Sequence, residues 1–457
     1  MYKRKIEQRL IEWKSNTNHK PLIVKGVRQC GKTSSVKAFA QQNYKHTVYM
    51  DFHEQKSLRR IFDGSLQVDH LVTLISATIP GSRFMPGQTC VIFDEIQDCP
   101  AARSSLKFWK QDGRFDVICT GSLLGVNGYK ADDEEPKDSK QAQEATIPVG
   151  FETIIDMYPM DFEEWLWAND IPQSAIDMLV AALSDITPVE NALHERMRQL
   201  LLEYIVVGGM PDAVTTFLNT HDIGQVSQVQ HSILEEYKSD MVKYAKGADK
   251  TRIRECFQSI PRQLAKENKK FQYSVVRKGG RSKEYVGCLQ WIEDAGMIRR
   301  CYNLQTTELP LAGNAIESEF KVYMSDTGLF ISMLDDGTQG DILRGNLLSY
   351  KGAIFENVVA DLLGKMGRKL YYYHKDGGLE LDFVIRYKGE CTPLECKATT
   401  GNAKSIRTVL KNPDIYHVAH ALKLGDYNVG QSNGLLTLPM YMGFLLTQVG
   451  SPAKLWV

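Results

Sequence analysis

The sequence predicts an α/β protein of about three domains, with a mostly parallel sheet in the first of them. Three observations lead to this prediction. The chain has 457 residues, more than one compact core usually holds. Short apolar runs alternate with helix-length segments up to about residue 166, which is typical of parallel strands joined by helices. After residue 315, a helix-length apolar segment is followed by several short strand-like runs, as expected of a second α/β domain.

The composition excludes several classes of protein. Apolar residues make up 43% and charged residues 24%, which excludes a collagen-like, wholly disordered or coiled-coil chain. Lys plus Arg and Asp plus Glu both number 55, so the net charge gives no evidence for nucleic-acid or membrane binding. The nine cysteines form no Cys-x-x-Cys pair, and no apolar run reaches the roughly 18 residues that cross a bilayer. We therefore expect a cytoplasmic protein with no membrane partner.

The first domain is predicted over residues 1–166. Its apolar strand-like runs, which we expect to pair in one sheet, are 22–24, 47–50, 90–93 and 117–119. The segment between Tyr129 and Thr146 is polar, with alanine as its only apolar residue type, so it cannot repay the cost of ordering a packed element. We expect a surface loop there.

A phosphate-binding motif lies between the first strand-like run and the helix-like residues 34–41. Residues 26–33 read GVRQCGKT, the complete Gly-x-x-x-x-Gly-Lys-Thr pattern of a P-loop. The glycines let backbone N–H groups curl around phosphate, Lys32 reaches the terminal phosphates, and the Thr33 hydroxyl can ligate Mg²⁺. The residues predicted to bind the nucleotide are Gly26, Val27, Arg28, Gln29, Cys30, Gly31, Lys32, Thr33, Ser34 and Ser122.

The run 89–93 supplies the second part of a nucleotide-hydrolysing site, because it ends in Asp94 and Glu95. Asp94 is predicted to hold the Mg²⁺ shell together with Thr33. Glu95 is predicted to polarise the water that attacks the γ-phosphate, with Lys32 as the second catalytic residue. The pair predicts hydrolysis as well as binding.

Other residues of this domain carry weaker signals. The strand-like run that ends in Thr120-Gly121-Ser122 brings a Thr120 or Ser122 hydroxyl towards the γ-phosphate, although the same sequence is a common strand-to-turn ending. Spacing assigns no arginine finger. Arg103 and Arg114 are candidates only because they lie in the same domain.

The middle of the chain is predicted to be a helical linker or lid at 167–242, followed by a winged helix-turn-helix at 243–314. Residues 243–283 contain thirteen Lys or Arg and three Asp or Glu. The order of helix, helix and strand-like ribbon is that of a winged helix, which places its second helix, here about 281–297, in a DNA groove. The alternative is a solvated basic face on a module that contacts protein.

The last domain, predicted at 315–457, contains two carboxylates and a lysine on neighbouring strand-like runs. Asp382 lies in the run 381–387, and Glu395 and Lys397 share one face of the run 391–398. If the turn-like residues between these runs form a hairpin, the three side chains converge. This is the D…ExK arrangement of metal-dependent nucleases.

A helix-length segment before these strands adds a third carboxylate. Glu356 lies on the same face as apolar residues of that segment and therefore needs a partner. Glu356, Asp382 and Glu395 are predicted as Mg²⁺ ligands, and Asp382, Glu395 and Lys397 as catalytic residues that orient or deprotonate water. The alternatives are an ordinary solvated hairpin and a site that has lost its activity.

With these residues in view, the chain resembles, over nearly its full length, the prokaryotic P-loop ATPases that combine an AAA-like domain with a C-terminal DUF4143 domain. The resemblance implies that the nucleotide is ATP and that the tail has a PD-(D/E)xK nuclease-like, restriction-endonuclease-like α/β fold. Cys396 stands where valine is commoner. The matching blocks are GVRQCGKT at 26–33, VIFDEIQ at 91–97, TGSLL at 120–124, YPMDFEEWL at 158–166, VVGGMPDAV at 206–214, YMSDTGL at 323–329, GAIFENVVADLL at 352–363, ELDFVI at 380–385 and LECK at 394–397.

The predicted function is that of a Mg²⁺-dependent ATPase that binds DNA and controls a C-terminal nuclease-like domain. The alternative is a nucleotide-switched regulator or scaffold with an inactive tail. AAA-like sites often lie between subunits, so a homo-oligomer is also expected.

Overall fold

The computed structural model describes residues 2–122, 150–244, 249–266, 269–346, 350–375, 378–397 and 403–447. These residues form two compact units, 3–158 and 159–457, with Tyr2 assigned to the second unit. The loop predicted between Tyr129 and Thr146 lies outside the described residues.

The first unit alternates helices with strands, as predicted. Its elements are α1 Ile6–Ser15, β1 Leu22–Lys25, α2 Lys32–Asn43, β2 His46–Asp51, α3 Val68–Thr78, β3 Thr89–Asp94, α4 Pro100–Asp112, β4 Asp116–Gly121 and β5 Thr153–Asp156.

These strands form one parallel sheet in the order β2-β3-β4-β1-β5. The prediction of a mostly parallel sheet is therefore confirmed. The strands are almost continuously apolar because helices cover both faces of such a sheet. On one face, Phe52, Phe62 and Phe93 pack edge-on or tilted against each other, with ring centroids 5.5–5.7 Å apart, and Trp109 of α4 lies against Phe93.

The second unit begins with helices and ends with strands. Its elements are α5 Phe162–Ala168, α6 Gln173–Asp185, α7 Asn191–Val207, α8 Pro211–Thr220, α9 Ile223–Tyr244, α10 Asp249–Leu264, α11 Tyr273–Val276, α12 Ser282–Asp294, β6 Ile298–Leu304, β7 Ala315–Met324, α13 Thr327–Ser332, α14 Thr338–Leu343, α15 Lys351–Lys365, β8 Leu370–Lys375, β9 Leu379–Leu381, β10 Phe383–Tyr387, β11 Glu390–Cys396, α16 Lys404–Lys411, α17 Pro413–Tyr416, β12 Ala421–Gly425, β13 Gly430–Ser432 and β14 Leu435–Pro439.

Two sheets lie in this unit, in the orders β7-β6-β8-β9 and β10-β11-β12-β14-β13. Helices α10, α11 and α12 precede the antiparallel hairpin β6–β7, and α12 covers most of the predicted second helix at 281–297. Strand β6 also pairs in parallel with β8. The hairpin thus joins residues on both sides of the predicted boundary between 314 and 315.

The predicted continuous strand at 381–387 is wrong in one respect, because the chain breaks its pairing at Asp382. Strand β9 ends at Leu381 and pairs with β8, whereas β10 begins at Phe383 and pairs with β11. At the break, the Asp382 carboxylate accepts a hydrogen bond of 2.8 Å from the backbone N–H of Cys396. The predicted turn at 387–390 does join β10 to β11.

A buried ammonium group connects four segments of the second unit. Lys365 Nζ lies 3.0 Å from an oxygen of Asp361, 3.3 Å from Asp326 and 2.9 Å from the hydroxyl oxygen of Tyr204. It also donates to the carbonyl oxygen of Met160 at 3.2 Å. The side chains of Lys365 and Asp361 are each 1% exposed. Such a network stabilises the fold only when it is complete, because each charge pays a desolvation cost.

Cysteine and membrane expectations meet two simple findings. All nine cysteines are buried and none forms a disulfide. Among the residues that the structure describes, no helix is both long and apolar enough to cross a membrane.

We predict that Lys365→Met lowers the free energy of unfolding by about 3–5 kcal/mol, because Asp326 and Asp361 lose their buried cation. Equilibrium urea unfolding followed by tryptophan fluorescence measures the change. Lys369→Met is the matched control, since Lys369 is exposed and should change stability by less than about 0.5 kcal/mol. Equal effects of the two substitutions would contradict this prediction.

Candidate nucleotide site and carboxylate–lysine cluster

The strand order of the first unit brings the predicted nucleotide-site residues together. Strand β4 lies between β3 and β1, and all three run in the same direction. Parallel strands end at the same edge of a sheet, where α/β proteins bind ligands. The P-loop follows β1, Asp94 and Glu95 end β3, and Thr120 and Ser122 end β4.

The P-loop backbone has the conformation that its glycines permit. Gly31 has φ +96°, and Gln29 has φ +62°. A Cβ atom at Gly26 would lie 2.1 Å from the carbonyl oxygen of Met157, so the close approach of these two segments requires glycine. The Cys30 thiol is buried and faces the same Met157 oxygen at 3.5 Å.

The Lys32 side chain is folded back over the loop. Its Nζ donates to the carbonyl oxygens of Gly26 at 3.1 Å and Val27 at 2.9 Å. The remaining predicted loop residues surround it, with Arg28 and Gln29 half-buried and Ser34 exposed. Lys32 therefore already lies at the mouth of the loop where phosphate would bind.

Thr33 and Asp94, the predicted Mg²⁺-shell residues, are hydrogen-bonded to each other. The Thr33 hydroxyl donates to Asp94 Oδ1 at 3.0 Å. The Thr120 hydroxyl donates to the same oxygen, and Tyr49 donates to Oδ2 at 2.6 Å. Asp51 accepts a second contact from Tyr49 at 3.1 Å, and burial beside these carboxylates raises the pKa of Tyr49 far above its usual range. Tyr49 therefore stays protonated and remains a donor.

Glu95 is held in an unusual backbone conformation. Its φ of +51° and ψ of +52° lie in the left-handed region, which non-glycine residues rarely adopt. Its carboxylate accepts hydrogen bonds from the Gln97 amide and, at 3.2 Å, from the Ser122 hydroxyl. The Glu95 backbone N–H also faces the Thr120 hydroxyl at 3.4 Å. The structure thus joins the predicted base to the predicted sensor Ser122.

Both candidate arginines form ion pairs within the first unit. Arg103 pairs with Glu152, and its side chain is 16% exposed. Arg114 pairs with Asp69 and Asp112, with closest distances of 2.5 and 2.7 Å. Neither contact involves the P-loop, so the structure gives no reason to prefer either one as a finger.

In the second unit, β10 and β11 bring the predicted catalytic residues close together. Lys397 Nζ lies 2.5 Å from Glu395 Oε1, which agrees with the shared strand face. The other oxygen, Glu395 Oε2, is buried and has no hydrogen-bond partner among the described residues. The Asp382 carboxylate bonds to the N–H between these two residues, at Cys396.

The Asp382 carboxylate lies in a strongly anionic environment. Burial raises its pKa to about 7, and the nearby negative charges of Glu356 and Glu395 act in the same direction. The three predicted metal ligands therefore influence one another electrostatically. Within the described ranges, however, no three His, Cys, Asp or Glu side chains are arranged to hold a metal ion.

Glu356 has cationic partners that were not predicted. Lys269 forms an ion pair with Glu356 Oε1, and Lys321 lies 3.8 Å from Oε2. The Tyr323 hydroxyl donates to Oε2 at 3.0 Å. Lys321 also pairs with Glu380 at 2.6 Å and is 1% exposed. The carboxylate on an apolar helix face did need partners, as expected, and they are two lysines and a tyrosine.

Sequence reasoning missed Lys321 and misjudged Lys269. Lys321 lies between Phe320 and Val322 in an apolar strand, and this lone cation in a buried run was an available signal. Lys269 was included only as one of thirteen basic residues predicted to contact DNA. Tyr49 and Gln97 gave no signal, because their roles depend on tertiary contacts.

Three family models match consecutive parts of the chain. An AAA domain model matches residues 18–166, the range that contains the P-loop, Asp94 and Glu95. The chain contains an AAA domain. A domain of unknown function, DUF8612, matches residues 198–340, and DUF4143 matches residues 351–441. The predicted combination of an AAA-like P-loop ATPase domain with a DUF4143 domain is thus confirmed.

Searches with the whole chain gave less. Among proteins with curated functions, none matches the chain significantly. A Walker-type ATPase of Pyrococcus abyssi is similar in structure, with a TM-score of 0.38 and 16% identity, over 73% of this chain and 96% of that one.

We predict that Gly26→Ala weakens nucleotide binding by about tenfold or more, because the added methyl group displaces the P-loop from Met157. Fluorescence titration with a labelled ATP analogue measures the affinity. Gly64→Ala is the control, since its Cβ would meet only His70 at 3.7 Å. An affinity unchanged in Gly26→Ala would show that this loop position is not critical.

Proposed function

We propose that the chain binds ATP together with Mg²⁺ at the P-loop edge of the first sheet and hydrolyses it. The observation that carries this proposal is the hydrogen bond between Thr33 and Asp94, which joins the P-loop hydroxyl to the carboxylate at the end of β3. The AAA domain match covers both residues and supports the same assignment.

The residues present suit a Mg²⁺–nucleotide complex. Thr33 and Asp94 supply the hard oxygen donors that Mg²⁺ prefers, and both lie at the same strand edge. Mg²⁺, when bound, neutralises charge on the β- and γ-phosphates. Lys32 can leave its two backbone carbonyl partners and donate to phosphate oxygens instead.

Glu95 is proposed to orient and polarise the attacking water. Its carboxylate is positioned by Gln97 and Ser122, both of which leave it negatively charged because they are neutral donors. The left-handed backbone at Glu95 keeps this carboxylate next to Asp94 without continuing the strand. Positioning of this kind is most of what a protein contributes to phosphoryl transfer.

We predict that Lys32→Ala abolishes ATP binding, whereas Glu95→Gln retains binding but lowers kcat by about 100-fold or more. The first substitution removes a phosphate donor, and the second removes only the group that acts on water. Phosphate release and labelled-ATP titration separate the two effects. Lys45→Ala is the control, because Lys45 is an exposed lysine of the same unit. Wild-type levels of hydrolysis in Glu95→Gln would refute the role of Glu95.

We also propose that the second unit binds DNA and contains a metal-dependent, nuclease-like site under the control of the ATPase unit. The order of α10, α11, α12 and the β6–β7 hairpin supports a winged helix. Four exposed cations at the start of α12 and in the segment before it support contact with phosphate, and they are Arg277, Lys278, Arg281 and Lys283.

The nuclease-like proposal rests on the cluster of Glu356, Asp382, Glu395 and Lys397. The chemistry of the donor set suits Mg²⁺, and the buried, unpaired oxygen Glu395 Oε2 is a ligand atom without another role. Lys397 is held beside Glu395, where it can orient water towards a phosphodiester.

The second candidate is a nucleotide-switched regulator or scaffold with an inactive tail. The observation that favours it is the pairing of Glu356 with Lys269 and Lys321, which gives this carboxylate two cations in place of a metal. In this case the tail binds nucleic acid or protein without cutting. Assembly into a homo-oligomer is proposed for both candidates.

Plasmid nicking distinguishes these candidates. We predict that the wild-type chain nicks supercoiled DNA with Mg²⁺, and that Lys397→Ala and Asp382→Ala abolish nicking but retain ATP hydrolysis. The reason is that both residues lie in the second unit, whereas the nucleotide site is in the first. Failure of the wild type to cut single-stranded, duplex or branched DNA, or RNA, with or without ATP, would favour the scaffold.

A further inference from the structure

Lys269 pairs with a carboxylate of the nuclease-like cluster although it lies far from that cluster in sequence. Its ammonium group contacts Glu356 Oε1, and the two side chains are 16% and 9% exposed. Because both groups are largely removed from water, this ion pair is much less screened than a surface pair. The contact therefore matters for what else Glu356 can bind.

The position of Lys269 is set by the residues that follow it. The Phe271 backbone N–H donates to the carbonyl oxygen of Phe320 at 2.8 Å, and the two rings stack with centroids 5.8 Å apart. Lys270 pairs with Glu319 on the same strand at 2.7 Å. The segment thus lies along β7, so that Lys269 reaches Glu356 from outside the predicted ligand set.

The three lysines near the cluster differ in their acidic partners. Lys321 pairs closely with Glu380, and Lys397 with Glu395, so each has an acid other than Glu356. Lys269 instead occupies an oxygen of Glu356 itself, a predicted ligand. An ammonium group and a divalent cation cannot share one carboxylate oxygen, because the two positive charges repel.

We propose that Lys269 is an exchangeable cation that occupies the place of a divalent metal on Glu356. The site takes up the ion only when Lys269 withdraws. The chain therefore controls its metal affinity through the segment that carries Lys269, between α10 and α11. This inference rests on the proposed function of the cluster, since it requires Glu356, Asp382 and Glu395 to be able to ligate a metal.

The test is Mn²⁺ binding to the full chain without nucleotide, measured by isothermal titration calorimetry. Lys269→Met keeps the length of the side chain and removes its charge. We expect it to tighten Mn²⁺ binding by about tenfold or more, since one repelling cation is removed from a buried site. Asp382→Asn in the same background should abolish this binding, which distinguishes it from any ion held at the P-loop.

Two further variants control for charge and for folding. Lys270→Met makes the same change one residue later, where the partner is Glu319, and should leave the Mn²⁺ affinity at the wild-type value. Lys269→Arg keeps the cation and should also bind Mn²⁺ as the wild type does. Thermal unfolding of each variant shows whether its fold is intact.

The outcomes separate this inference from the proposed function. If wild type and Lys269→Met bind Mn²⁺ equally, and Asp382→Asn abolishes the binding in both, the exchange is refuted and the metal site stands. If neither protein shows binding that depends on Asp382, the exchange and the metal site are both refuted. An equal gain in Lys270→Met would also overturn the inference, because the effect would then be one of general charge.

Discussion

The buried ammonium group of Lys365 constrains the second unit more than any other group that the structure describes there. Its contacts to Asp326, Asp361, Tyr204 and Met160 hold the end of α15 against three other segments. The glycines nearby follow from the same constraint. A Cβ atom at Gly208 would lie 2.2 Å from Asp326 Oδ1, and one at Gly209 would lie 2.0 Å from the Met160 oxygen. Small residues are required because backbone must approach this network closely.

The same network explains why separate sequence blocks occur together. Asp326 accepts from the Gly209 N–H at 2.7 Å and also caps α13 by accepting from Leu329 at 3.1 Å. The blocks at 158–166, 206–214, 323–329 and 352–363 each supply residues to the network or lie next to it. These blocks could be recognised as a resemblance, but their physical role could not be derived from sequence. A buried lysine is not distinguishable by pattern from the many exposed ones.

Local patterns predicted most of the first unit and part of the second. Strands β1 to β4, the P-loop and the β10–β11 hairpin follow from apolar runs, glycine spacing and turn residues, which are properties of neighbours in sequence. The break at Asp382 did not follow, because a backbone N–H from β11 competes for its carboxylate. The pairing of Lys269 with Glu356 was equally inaccessible, since it joins residues 87 positions apart through packing along β7.

Both candidate sites obey the rule that a buried carboxylate needs donors, but they satisfy it differently. Asp94 is held by the hydroxyl groups of Thr33, Thr120 and Tyr49, which are neutral and leave its negative charge uncompensated. A cation can therefore join these donors without displacing a charge. Glu356 is held by Lys269 and Lys321, whose positive charges already compensate it. Binding of a divalent ion there must be an exchange, which makes the second site the one whose occupancy a change of conformation can control.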